Sequence, residues 1–320
     1  MSEETQVQEK RVRVLSISRK AIQFVSFFLV NFAILEMIFN TEFTILDDLL
    51  QILPFLQSAN SAWTAGAGIM EYIFHSILKG QFPWFFIGLI GLFGLFGGRV
   101  FCGWVCPTGF IQDLFAGLSD QNPSRKIPIS TDHWLKRFKI YILLFFIVLI
   151  APVGVFMYTD PQEYTSYLAA LGGLSENPLW PVSFSEFFFV TIPGIVSSFV
   201  ETGGLSEFFN ADNTWRIVFL FIYLIILIAS VFYPRFYCRY VCPYGAAISI
   251  FSEYSFIKLK RLPTRCPGRK ECGICEEVCP MQIRILDEPF GGFTGRGECT
   301  LCLDCLEACP HDAIKWNFGF

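Results

Sequence analysis

CPGRKECGICEEVCP (266–280) and CTLCLDCLEACP (299–310) carry eight of the twelve cysteines in this 320-residue chain. Cys299, Cys302, Cys305 and Cys309, with Pro310 behind them, have the spacing of a bacterial-type four-iron loop. Three thiolates on one tight loop wrap three corners of an iron–sulfur cube, and the fourth, entering the next helix, completes a neighbouring cube. The crossover predicts one 4Fe-4S cluster on Cys266, Cys272, Cys275 and Cys309, and another on Cys279, Cys299, Cys302 and Cys305. Five residues rather than two separate Cys266 from Cys272, an insertion that a loop carrying Gly268 can absorb. Zinc also favours paired cysteines, but it closes at four ligands and shows no preference for Pro after every fourth Cys. Disulfides do not suit a cytosolic module.

Composition bounds the rest. The chain is 53% hydrophobic and 17% aromatic, with 37 Phe and only 16% charged residues. That is more apolar surface than a globular core of this size hides, so much of it should face lipid. The formal charge of −4 is partitioned along the chain, and nothing points to nucleic acid.

Residues 1–19 are charged and without periodicity, and read as a disordered cytosolic tail. The membrane domain should run over 20–257, with spans at about 20–40, 82–101, 139–158 and 216–234 and external loops at 41–81 and 159–214. Short apolar pieces in 41–81 should lie on the membrane surface or fold back into the protein. PVSFSEFFFVTIPGIVSSFV (181–200), broken by Pro193-Gly194 and carrying Glu186, reads as interfacial or re-entrant rather than as a fifth span. Basic residues gather in the tail, in the loop after the second span (Arg125, Lys126, Lys136, Arg137, Lys139) and in a connector (Lys258, Lys260, Arg261, Arg265). Asp160 to Asn213 holds seven acidic residues and no Lys or Arg. The positive-inside bias then puts both termini, and the two-cluster domain at 258–320, on the cytosolic side of the inner membrane.

RVFCGWVCPTGF (99–110) and RFYCRYVCPYGA (235–246) align at Arg, Cys, Val, Cys, Pro and Gly, an internal duplication. Cysteines at i and i+4 share a helix face, and the following Pro suits the start of a new helix. Three readings stand for Cys102, Cys106, Cys238 and Cys242: a further metal or iron–sulfur centre, redox thiols, or buried structural thiols. Glu36, His75 and His133 are candidates for a quinone site; a Glu snorkelling to the interface and ordinary polar histidines are the plainer readings.

Paired CxxxCP motifs at the ends of membrane helices, followed by a two-cluster ferredoxin, resemble the NapH-like membrane polyferredoxins, and are similar to the membrane half of NosR-type proteins and to CcoG-type proteins. The resemblance covers about Phe82 to His311. It implies an α-helical membrane protein of about four transmembrane helices with a C-terminal bacterial-type two-cluster (4Fe-4S) ferredoxin domain of α+β type. It further implies an electron-transfer subunit of an oxidoreductase complex, moving electrons between the quinone pool, or a cytosolic donor, and a partner such as a cytochrome or iron–sulfur protein. An assembly factor that reduces a metal ion or disulfide for another enzyme is the alternative. The chain departs from the NosR type in having no Ser/Thr-rich flavin-attachment stretch and no large external domain.

Overall fold

The computed structural model describes residues 3–41, 44–58, 66–118, 127–202 and 214–319. Arg125 and Lys126 of the expected basic loop, and residues 203–213 of the acidic one, lie outside the described residues. The apolar runs form helices bounded by Gly and Pro. They are α1 (Glu3–Val30), α2 (Ala33–Phe39), α3 (Thr44–Leu49), a parallel pair β1 (Ile52–Leu53) and β2 (Ala67–Gly68), α4 (Ile69–Leu78), α5 (Trp84–Gly97), α6 (Val100–Trp104), α7 (Pro107–Ala116), α8 (Ile129–Thr159), α9 (Pro161–Leu171) and α10 (Gly173–Glu176). A 3-10 turn (Trp180–Val182), α11 (Phe184–Glu186), a π turn (Phe187–Thr191) and α12 (Ile192–Thr202) precede α13 (Thr214–Phe232), α14 (Phe236–Tyr240) and α15 (Pro243–Ser252). The C-terminal domain pairs β3 (Ile257–Arg261) antiparallel with β4 (Ile314–Phe318), in the register Leu259 to Trp316, around one-turn helices α16 (Ile274–Glu277) and α17 (Asp304–Glu307).

Among the described helices, α8 alone is both long and apolar enough to cross a membrane. Its 31 residues rise about 46 Å at 1.5 Å each. The other expected spans are shorter or divided. A turn at Asn31–Phe32 separates α1 from α2, α5 has 14 residues, and α13 has 19. The physical reason is local: α5 stops where Gly98 takes φ +57°, a conformation that glycine tolerates, and α13 stops before Pro234.

The segment expected to be a disordered tail is helical from Glu3 onward. Tertiary contacts account for this correction. Arg19 pairs with Asp304 at 2.8 Å and donates to the Cys302 carbonyl at 3.0 Å, and buried Gln23 donates to the Gly103 carbonyl at 2.9 Å. Residues 53–58 fold back into the core beside α4 rather than lying on a surface. The segment 184–191 likewise turns Phe184, Phe187 and Phe189 inward.

The duplication appears as two helix–CxxxCP–helix units, α5–α6–α7 and α13–α14–α15. They pack by exchange, α15 against α5 and α13 against α7. Each unit therefore buries its apolar face on the other, and neither closes a core alone.

Candidate iron–sulfur sites and the buried cysteine quartet

Cys266, Cys272, Cys275 and Cys309 line one small cavity in the C-terminal domain, together with Leu286, Ala313 and Ile314. Cys279, Cys299, Cys302 and Cys305 line another, with Met281, Ile285 and Phe293. The two cavities are similar in size, as two copies of one cofactor would require. Among the described residues, no three His, Cys, Asp or Glu side chains gather as a single-ion site.

The loops are built to face sulfur. Leu301 and Leu303, interleaved with the cysteines, sit at φ +49° and +69°, conformations that cost a non-glycine residue roughly 1–2 kcal/mol each. Left-handed residues in such a loop turn backbone N–H groups toward a concave anion site. The Ile283 N–H donates to Cys279 Sγ at 3.5 Å and the Ala313 N–H to Cys309 Sγ at 3.3 Å. Burial pushes the Cys275 and Cys299 thiols up to about 12. These sulfurs become thiolates only when iron replaces the proton, which is the chemistry a cluster supplies.

The second cavity lies against the CxxxCP units. Trp104 Nε1, two residues past Cys102, donates to the Leu301 carbonyl at 2.8 Å. Gly103 approaches the same loop so closely that a Cβ there would stand 2.3 Å from the Thr300 oxygen, and one on Gly297 would stand 2.0 Å from that of Ser249. Glu298, beside Cys299, pairs with Arg99 at 2.5 Å and with Lys139. Gly103→Ala is accordingly expected to force the ferredoxin loop off α6. A lowered melting temperature and faster proteolysis between the domains would check this, with Gly88→Ala, which faces open space, as control.

All four CxxxCP cysteines are buried, and each lies within electrostatic reach of others in the set. The aligned arginines cross between the units. Arg99 donates to the Cys238 carbonyl at 3.3 Å, and Arg235 to the Cys102 carbonyl at 3.3 Å. Both guanidiniums are buried, at 1% and 0% exposure, and each is paired with a carboxylate, Arg99 with Glu298 and Arg235 with Asp113. Gln112 Nε2 donates to Cys238 Sγ at 3.0 Å, and the Gly245 N–H to Cys242 Sγ at 3.4 Å. N–H donors aimed at sulfur favour a thiolate or metal-bound sulfur, while burial pushes the free Cys238 and Cys242 thiols up.

The quinone-site candidates are not brought together. Glu36 is half-buried on α2. His75 is exposed on α4, whose far end meets α8 at Gly154. His133 is exposed near the start of α8, roughly 30 Å away along that helix. It lines a cleft with Lys136, Gln282 and Arg296. The acidic partners Asp113, Asp132 and Glu298, and the buried Glu71 and Glu186, were not singled out as site residues in the sequence. Only Glu186 carried a signal, as the break in an apolar run.

A family profile described as a 4Fe-4S binding domain matches residues 82–126 and again 215–261, and one described as a 4Fe-4S dicluster domain matches 265–314. YccM of Escherichia coli, whose name assigns it to electron transport, is 27% identical over 78% of this chain and 60% of its own length. Ferredoxin-type protein NapH of Haemophilus influenzae is 25% identical over 72% and 67% of the two chains, and regulatory protein NosR of Stutzerimonas stutzeri is 27% identical over 66% and 23%. The chain is similar to the NapH/NosR-like polyferredoxins. The shared segment spans less than two thirds of YccM and a quarter or less of NosR, so what unites the family is this iron–sulfur electron-transfer core. No solved structure matches the chain.

Proposed function

We propose that this polyferredoxin is a membrane-embedded electron-transfer subunit with a relay of three centres. Cys266, Cys272, Cys275 and Cys309 hold the outer 4Fe-4S cluster, and Cys279, Cys299, Cys302 and Cys305 the inner one. Cys102, Cys106, Cys238 and Cys242 hold a third, anionic metal or iron–sulfur centre at the membrane boundary. The observation that carries the reading is the close seating of the Cys299–Cys302 loop on α6: the backbone approach at Gly103 and the Trp104 indole N–H join the inner quartet directly to the first CxxxCP unit.

The four-span topology, with the ferredoxin domain and both termini in the cytosol, remains the reading that accommodates the charge partition. Exposed apolar side chains support lipid contact. In α8 the apolar window is only 28% buried, and Phe85, Phe96, Phe145, Val148, Phe221 and Ile225 are all more than half exposed. Exposed surface of that kind marks a membrane or a partner face. Quinol as donor, and a cytochrome or iron–sulfur protein as partner, complete the proposal. Burial of all four CxxxCP thiols speaks against the assembly-factor reading, because client exchange needs accessible sulfur.

Anaerobically purified protein should contain about eight irons per chain for the two ferredoxin clusters, plus those of the third centre. Cys302→Ser should remove one centre's paramagnetic signal and spare the other, while Cys238→Ser should lose only the surplus metal. Retention of full metal and full electron capacity by Cys238→Ser would sink the third centre.

A further inference from the structure

Within the membrane-domain core the structure buries two carboxyl groups that no electron-transfer step has used. Glu71 on α4 is 4% exposed and Glu186 on α11 is 9%. They interact electrostatically with each other. Ser58 Oγ donates to Glu186 at 2.6 Å, its N–H donates to Ser185 Oγ at 2.8 Å, and Ser185 and Ser183 hydroxyls meet at 2.8 Å. The next carbonyls back along the chain, those of Val182 and Pro181, accept from Tyr237 at 2.5 Å and from Tyr223 at 3.0 Å. Tyr237 adjoins Cys238, and Tyr223 lies within electrostatic reach of both Glu186 and Cys242. Serine hydroxyls at the carboxyl pair and tyrosine hydroxyls near the sulfur site are thus joined through backbone groups of residues 181–185, a polar line with main-chain carbonyls between the two.

Two further observations show that this region is unfinished as a structural core. Glu71 Oε1 is buried without a hydrogen-bond partner. So are both amide atoms of Gln57, which is fully buried, and whose carbonyl accepts from the Gly68 N–H at the start of the helix carrying Glu71. Buried polar atoms left unpaired are costly and call for an explanation, such as a redox role, a bound water or an ion. At the solvent end, His75 follows Glu71 by one helical turn on the same face of α4 and is exposed.

We infer that Glu71 and Glu186 are the proton-accepting pair of this protein, linked to solvent through His75 and to the CxxxCP centre through the serine and tyrosine line. The inference rests on the proposed reading that the centre takes an electron. Before reduction the pair shares one proton, as one acid and one carboxylate. When an electron arrives from the inner cluster, the remaining carboxylate gains an O–H bond. The proton comes from solvent water through His75 and leaves by the same route on reoxidation. Electron and proton charge then enter the low-dielectric interior together.

The facing ionisable groups agree with this. Burial first, and Glu186 second, push the Glu71 carboxyl up to about 8, against a donated Leu179 N–H. Burial and Lys79 hold the His75 imidazole below its ordinary value, so it is neutral and can accept a proton at pH 7. Tyr223 lies within electrostatic reach of Glu186 from α13, and Lys79, at the C-cap of α4, is exposed like His75.

The test is a redox titration of the full-length protein in nanodiscs, following the signal that Cys238→Ser abolishes. With one proton per electron, a tenfold change in proton concentration shifts the equilibrium tenfold, about 59 mV per pH unit. Glu71→Gln and Glu186→Gln should flatten this dependence while leaving iron content unchanged. An unchanged slope in both variants overturns the proton pair. In the wild type, infrared difference spectra should gain a protonated-carboxyl band on reduction, and its absence overturns the pair even if a variant fails to fold. Failure of the underlying reading is recognised separately, by a Cys238→Ser protein that keeps every reducing equivalent.

Discussion

Replacing Glu298 by Ala is expected to destabilise the protein by about 3–5 kcal/mol and to separate the ferredoxin domain from the CxxxCP units. The carboxylate accepts from Arg99 at 2.5 Å and from Lys139, and both cations are 1% exposed. Removing it leaves two buried positive charges without a counter-charge, which costs far more than the pair contributes when whole. Chemical denaturation of the reduced, iron-loaded protein measures the loss. A double change, Glu298→Leu with Arg99→Met, should recover part of it, because an apolar replacement of a buried ion pair is often neutral. The pH profile gives an independent check. Burial alone would raise the Glu298 carboxyl, but Lys139 and Arg99 overcome it and hold the group below its ordinary value. A depressed carboxyl stabilises the fold above the unfolded value and loses that contribution as pH falls through the folded one. The wild type should therefore weaken in acid below about pH 5, and Glu298→Ala should lack that component.

That contact was invisible in the sequence because 159 residues separate Lys139 from Glu298 and 199 separate Arg99 from it. The cysteine quartets were legible for the opposite reason. Iron–sulfur ligation depends on short-range spacing, and the crossover rule groups the same four cysteines that line each cavity. The duplication was legible too, since aligned Arg, Cys, Pro and Gly fill equivalent places in α6–α7 and α14–α15. Helix length was less so. Hydropathy counts apolar residues but does not register that Gly98 turns the chain, and it therefore extended α5 beyond its 14 residues. The N-terminal segment misled for lack of periodicity, where docking of Arg19 and Gln23 on other elements holds a helix that local pattern does not announce. Glu71 gave no sign at all, being one acid among several until the fold buried it.

Arg235 should couple stability to the proposed redox chemistry of the CxxxCP site. Its guanidinium makes a bidentate pair with Asp113, Nε to Oδ1 at 2.8 Å and Nη2 to Oδ2 at 2.6 Å, and adds the Cys102 and Gly103 carbonyls at 3.3 and 3.4 Å. No other residue type supplies that planar fork, so Arg235→Lys is not conservative. Asp113→Ala strands the buried cation and is expected to cost about 3–5 kcal/mol. Arg235→Met removes the cation with less loss of packing, and its larger effect is electrostatic. A positive charge beside an anionic centre favours the more negative, reduced state. The potential of the CxxxCP centre should therefore fall in Arg235→Met, with each 59 mV marking a tenfold change in its one-electron equilibrium. The outer cluster, with Cys266, Cys272 and Cys275 across the ferredoxin domain, should keep its potential and serves as the internal reference. Equal shifts at every centre would mean a general loosening of the fold. A shift confined to the signal that Cys238→Ser abolishes would mean that Arg235 tunes the proposed CxxxCP centre alone.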